Sequence, residues 1–193
     1  MTDNKFSIVI SGWPAVGKTT IASKLAEEFG LVMYNGGDIL KMLAAEKDYS
    51  TERDDWWDTD EAKKFMKERK SDPSFDKKVD KKLGEIVRKG GAVITSYTLP
   101  WLVKEESVIK LWLRGSPDNR AKRMANRDDI SFAEAKKIIA LRDEENKKIY
   151  YKLYGFRFGE DLTVFDYMLN TDRLPLASLI EISKLIVRRH IGG

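Results

Sequence analysis

Lys18 and Thr19 close the run Gly12-Trp13-Pro14-Ala15-Val16-Gly17-Lys18-Thr19, and Thr20 follows it. The pattern G-x-x-x-x-G-K-[ST] is that of a loop built to hold the terminal phosphates of a nucleoside triphosphate. Each fixed position has a chemical reason. The glycines let the backbone curl until successive N–H groups point inward at phosphate oxygens. Lys18 brings a point charge to the β and γ phosphates. Thr19 offers its hydroxyl to Mg²⁺. A helix beginning at the end of the loop adds the partial positive charge of its first turn. The expected ligands of residues 12–20 are therefore ATP and Mg²⁺, with Thr19 as the metal contact.

Further residues have types and spacing suited to phosphoryl transfer. Arg120, Arg123 and Arg127 stand at i, i+3 and i+7, on one side of a helix, and Arg142 follows beyond a turn. Guanidinium forks suit charge that spreads over equatorial phosphoryl oxygens. For Arg120 a solvated basic helix face is the favoured reading, whereas Arg127 and Arg142 join Lys18 as catalytic candidates. Asp38 follows the second strand-like run, at the carboxyl edge where open α/β sheets bind ligands. It would orient an acceptor or take a hydroxyl proton; a plain helix N-cap is the competing reading. Lys41, Tyr97 and Trp101 complete the candidate acceptor site, with core packing the alternative for the two aromatics.

The elements that must position these groups alternate along the chain. Strand-like runs cover 6–11, 31–34, 92–96, 108–113 and 164–170. Helical patterns fill 18–29, 75–88, 117–127 and 175–189. Asp38 is expected to cap a helix to about Lys47, and Ser131 with Glu134 forms a capping box for a helix reaching Tyr154. Residues 48–74, which include Trp56-Trp57, show no strand pattern. Strand and helix in alternation imply an α/β fold: a three-layer α/β/α P-loop architecture around a five-stranded parallel sheet. A single domain over 1–193 is expected, with an acceptor-binding arm at about 38–90 and a lid at about 127–155.

Composition narrows the class. The 193 residues are 42% hydrophobic, enough for a core. Thirty-five basic against 31 acidic residues leave +4, a mild excess that suits anionic substrates and does not by itself imply nucleic acid. There is no cysteine, and His190 is the sole histidine, which disfavours thiolate and multi-histidine metal sites. No apolar run approaches the roughly 20 residues of a membrane span. A cytoplasmic protein without a membrane or nucleic-acid partner is expected, its oligomeric state left open.

In order along the chain, Gly12–Thr19, Gly37-Asp38-Ile39-Leu40-Lys41, Asp72-Pro73, Arg120-Ala121-Lys122-Arg123-Met124 with Arg127, Arg142-Asp143-Glu144-Glu145, Tyr154-Gly155 and Leu169-Asn170-Thr171 resemble the archaeal cytidylate kinase family. The resemblance implies a P-loop kinase with Arg123 beside the ATP and Arg127 and Arg142 on the lid. It also exposes departures. The family's arginine after the Gly-Asp-Ile stretch is Lys41 here, its Glu-Gly-Arg is Thr95-Ser96-Tyr97, its lid arginine is Ile149, and its helix glutamine is Leu83. These changes gather on the acceptor side. The leading expectation is accordingly a small phosphorylated alcohol, mevalonate 3-phosphate receiving phosphate on its 5-hydroxyl. CMP or dCMP is the alternative acceptor, and a nucleic-acid-binding P-loop protein using the basic 75–88 helix is a distant one.

Overall fold

A computed structural model describes residues 6–51, 60–72 and 74–192. The expectations for Trp56-Trp57 and Pro73 lie outside the described residues.

Every strand is short and apolar, and the sheet is wholly parallel. The strands β1 (Ser7–Gly12), β2 (Val32–Asn35), β3 (Ala92–Thr95), β4 (Val108–Arg114) and β5 (Tyr167–Asn170) lie in the order β2-β3-β1-β4-β5. All five therefore end at one edge, and the chain reverses its direction of travel across the sheet beside β1. Ligands of open α/β sheets bind at that kind of crevice. β1 is buried at every position. Its side chains alternate between the two faces: Val9 joins one core cluster while Ile8 and Ile10 join another.

Helices cover both faces. The helix α1 (Lys18–Phe29) packs Ile21 and Leu25 on the Ile8 side, together with Leu179 and Val187 of α8 (Leu176–Ile191). On the Val9 side lie α2 (Gly36–Ala45), α3 (Asp60–Ser71) and α4 (Ser74–Lys89), which contribute Ile39, Phe65, Phe75 and Leu83. Each such fully buried side chain is worth about 1.5–3 kcal/mol relative to exposure. The short α5 (Leu99–Leu102) follows β3. The helices α6 (Pro117–Asp128) and α7 (Phe132–Tyr154) pair through Ala121, Met124, Ala135 and Ile139.

The expected strands and most helices stand within a few residues of where the sequence puts them. Ser131 Oγ accepts from the Glu134 N–H, one half of the expected box, and Gly155 ends α7. Two helices, α3 and α5, arise where the sequence suggests none. The expected cap of α2 is corrected. Asn35, not Asp38, is the N-cap: its side chain accepts from the N–H groups of Gly37 and Asp38. Asp38 closes the box by accepting from the Asn35 N–H at 2.8 Å.

Candidate functional site

The turn between β1 and α1 holds the expected loop, and Lys18 is the first residue of the helix. Its Nζ curls back to donate to the carbonyls of Gly12 (2.9 Å) and Trp13 (2.8 Å). It also lies 4.6 Å from the centre of the Tyr97 ring. Burial pushes the Lys18 amine down from 10.5 to about 7. The charges of Arg142 and Arg120 push in the same direction, and Asp143 opposes them. A lysine so crowded, with only carbonyls to bond, is poised to gain from an anion. Thr19 and Thr20 are exposed beside it.

Two cavities meet at this lysine. One, about 630 Å³, runs along Pro14–Thr20 and is bordered by Arg123, Arg127 and Arg142. The other, about 670 Å³, lies between α2, α4, the turn after β3, and α7. Lys18, Thr19, Tyr97 and Arg142 line both. A group entering from one side thus faces a group entering from the other across these four side chains. Arg123 also borders a third cavity of about 490 Å³ that includes Thr171 and Asp172. Its guanidinium donates to Thr171 Oγ1 at 2.9 Å. Asp172 Oδ1 there is buried without a hydrogen bond among the described residues and lies 4.0 Å from the Arg123 guanidinium, an ion pair that holds Arg123 at this edge.

The residues singled out from the sequence separate into groups. Pro14 through Thr20, Tyr97, Arg123, Arg127 and Arg142 come together around the two cavities, while Gly12 and Trp13 line neither and hold the Lys18 amine through their carbonyls. Arg127 does so with its guanidinium forked onto Asp128 at 2.6 and 2.8 Å. Three residues do not join them. Asp38 is exposed and turned onto its own helix start. Lys41 lines neither cavity, because Leu40 occupies the cavity-facing position and the next residue of a helix points about 100° away. Trp101 packs instead of lining the acceptor side. Its ring is parallel to Phe156 at 4.4 Å, meets Phe165 edge-on at 5.1 Å, and its Nε1 donates to Asp161 O at 3.1 Å. Arg120 reverses the solvated reading, for its side chain is 3% exposed and paired with Asp143.

Other groups at the site were missed. Asp80 accepts from Thr98 Oγ1 and from the Tyr154 hydroxyl, tying α4 to the turn after β3 and to the end of α7. Burial and the Asp80 carboxylate both push the Tyr154 hydroxyl upward. Asp76 and Asp80, one helical turn apart, line the second cavity together, a spacing that marks one face of α4. Trp13 was read only as a loop position. Its ring packs edge-on against Phe158 at 4.8 Å and Trp112 at 6.2 Å, anchoring the loop.

Among the described residues no group of three or more histidines, cysteines or carboxylates is placed to hold a metal. An exposed threonine hydroxyl beside a phosphate loop fits Mg²⁺ carried largely by its nucleotide. No described helix is long and apolar enough to cross a membrane.

Comparison with known proteins agrees with this geometry. The profile of the cytidylate kinase-like family matches residues 7–173. A cytidylate kinase of Pyrococcus horikoshii is 33% identical over 97% of this chain and 91% of its own length. One of Ignicoccus hospitalis is 32% identical over 92% and 96%. Among solved structures, a shikimate kinase of Bacteroides thetaiotaomicron superposes with a TM-score of 0.59 at 17% identity, covering 97% of this chain and 99% of that one. An uncharacterised protein of Eubacterium ventriosum gives 0.65 at 19%, covering 98% and 99%. At such identities the structural likeness establishes the P-loop kinase fold alone.

Proposed function

As the chain belongs to the cytidylate kinase-like family, we propose that it is an ATP-dependent kinase that transfers phosphate to a small anionic acceptor held in the 670 Å³ cavity. The observation that carries this reading is the meeting of two cavities at Lys18, Thr19, Tyr97 and Arg142. When bound, ATP supplies the γ-phosphoryl group. The loop amides and Lys18 hold its terminal phosphates, and Thr19 would hold Mg²⁺. Arg123, which borders the cavity along the loop, would face the nucleotide. Arg127 and Arg142, carried on α6 and α7, bring charge to the oxygens that become more negative during transfer, and α7 excludes water as a lid.

Two acceptors are weighed, and the comparisons back one of them. The names of the relatives favour CMP or dCMP. Mevalonate 3-phosphate is the second reading, motivated only by an acceptor side that departs from the family's residues. Tyr97, Ile149 and Leu83, which replace polar or basic family residues, all face this cavity, whose described lining sets two cations, Lys18 and Arg142, against two carboxylates, Asp76 and Asp80, and so selects neither acceptor by charge. A donor that reads a base edge has no counterpart in leucine. ATP consumption measured side by side with CMP, dCMP and mevalonate 3-phosphate decides between them. Ordinary turnover of CMP with none of mevalonate 3-phosphate removes the second reading, and the converse removes the first.

Two expected outcomes test parts of the site. The first concerns protons. At pH 8 the Lys18 amine, held near 7, is mostly neutral in the free protein. Bound phosphates favour its charged form, so binding of MgATP at pH 8 takes up a substantial fraction of one proton, and the uptake fades below pH 6. Calorimetric titration in buffers of different ionisation enthalpy measures it; an unchanged heat across buffers contradicts the site. The second concerns Asp38, whose carboxylate completes the α2 capping box. Asp38→Ala is expected to cost about 0.5–1.5 kcal/mol in denaturant unfolding, the net worth of the one hydrogen bond it accepts from Asn35 N–H, while kcat stays within about threefold. A loss of kcat by about 100-fold or more would restore a catalytic part for it.

A further inference from the structure

Arg120 and Asp143 form an ion pair that the transfer reaction as described does not use. Arg120 is on α6 with its side chain 3% exposed, and Asp143 is on α7 with its side chain 17% exposed. The contact is a two-pronged fork: Nη1 donates to Oδ1 at 2.9 Å and Nη2 to Oδ2 at 2.6 Å. Nη1 also lies 3.5 Å from the carbonyl of Pro14, and the guanidinium stands 5.7 Å from the centre of the Trp13 ring. The phosphate loop, α6 and α7 therefore converge on one side chain.

Stability is a poor reason for such a pair. Removing two charges from water costs about what their attraction returns, and a well-packed apolar pair of the same volume commonly serves as well or better. Here even the fork is incompletely satisfied, because Arg120 Nε is buried with no hydrogen bond among the described residues. What an apolar pair lacks is direction. A guanidinium–carboxylate fork fixes both distance and rotation. Asp143 follows Arg142 in the same helix turn, so fixing the azimuth of one fixes the other. Arg142 is the α7 cation that borders both cavities.

We infer that Arg120 and Asp143 are positioning residues: their fork sets α7 against the phosphate loop so that Arg142 points at the junction of the two cavities. The inference rests on the kinase reading. Neither residue lines either cavity; their opposed charges partly offset each other at Lys18, and what the fork itself fixes is the position of Arg142. A displacement of the order of 1 Å at such a group costs up to about 100-fold in rate, so the effect is large enough to measure.

The test uses the full chain and three variants: Arg120→Met, the double variant Arg120→Met/Asp143→Leu, and Arg120→Lys. MgATP binding is followed by tryptophan fluorescence, turnover with CMP or mevalonate 3-phosphate (whichever the wild type uses), and folding by thermal melting. The double variant leaves no unpaired charge, so it is expected to melt within about 5 °C of the wild type. Its kcat is nonetheless expected to fall about 10- to 100-fold while the Kd for MgATP changes less than about threefold. The single Arg120→Met variant loses both melting temperature and kcat. Recovery of wild-type kcat in the double variant would show the pair to be structural only and overturn the inference. Arg120→Lys keeps a charge but not the fork, and kcat within about threefold of wild type overturns it independently of how the double variant folds. A wild-type chain that fails to bind MgATP would defeat the kinase reading itself, a result distinct from either.

Discussion

Lys18→Ala is expected to lower kcat by about 10³-fold, the loss seen when a preorganised transition-state donor is removed, while the chain still folds. Two features of the lysine make these effects separable. Its amine is enclosed between the loop carbonyls and the Tyr97 ring, at the point where the two cavities meet. Arg142 shares that junction, but a guanidinium carried on α7 does not replace a cation seated inside the loop. Folding, by contrast, gains little from the lysine. Its two hydrogen bonds are offset by burial of the amine beside Arg142 and Arg120, which together bring it down to about 7. Between that value and 10.5 the unfolded chain holds a proton that the native chain has released. The penalty this places on the native state is complete below about pH 7 and fades as the pH rises to 10.5. Removing the amine should abolish that part of the pH dependence, so the variant compares best with wild type near pH 6 and worst near pH 10. Melting curves across this range and kcat at saturating ATP check both statements. A loss of folded protein matching the loss of turnover would mean that Lys18 is structural, and the phosphate-binding reading would fail with it.

What could be read from the sequence was what depends on neighbours in sequence. The 12–19 loop is a local pattern, and so are the strand-like runs and the helix end at Tyr154-Gly155. The arginine spacing on α6 was equally legible, but spacing says only that side chains share a face. It does not say what lies opposite. Arg120 was read as solvated because its partner stands on another helix, 23 positions away. Asp80 went unnoticed for the same reason, since its ties to Thr98 and Tyr154 span 18 and 74 positions. Trp101 and Asp38 failed in a second way. Each is at the right edge of the sheet, but one ring turns into the aromatic packing around Phe156 and the other carboxylate turns onto the start of its own helix. Position along a strand locates the Cα of a residue; rotamer and neighbours decide where its functional atoms go. Asn35 was a cap within sequence reach, for Asn at the end of a strand with an aspartate three residues later is a capping-box pattern. The carboxylate drew attention that belonged to the amide.

The first glycine of the loop carries the second large effect, this time on folding. Gly12 is the last residue of β1 and pairs with Leu113 of β4, with φ at 143°. A Cβ built there falls 2.2 Å from the Leu113 carbonyl oxygen and 3.1 Å from its carbonyl carbon. Those are backbone atoms of a strand bonded on both sides, to β1 and to β5, so no rotamer change relieves the contact. The conformation itself is also disfavoured for any residue with a Cβ. Backbone strain of about 1–3 kcal/mol and overpacking of a similar size make Gly12→Ala a loss of roughly 2–6 kcal/mol. For a chain of this size that lowers the melting temperature by roughly 4–24 °C. Gly36 supplies the control. It has no positive φ, and nothing lies within 4 Å of a Cβ added to it, so Gly36→Ala should stay within about 1 kcal/mol of wild type in denaturant unfolding. Activity should fall further than stability in Gly12→Ala. Forcing β1 and β4 apart moves the Gly12 carbonyl that receives the Lys18 amine, and with it the cradle for the phosphates. A Gly12→Ala protein with wild-type melting and turnover would mean that the loop is free to sit elsewhere, and that its close approach to β4 is not what shapes it.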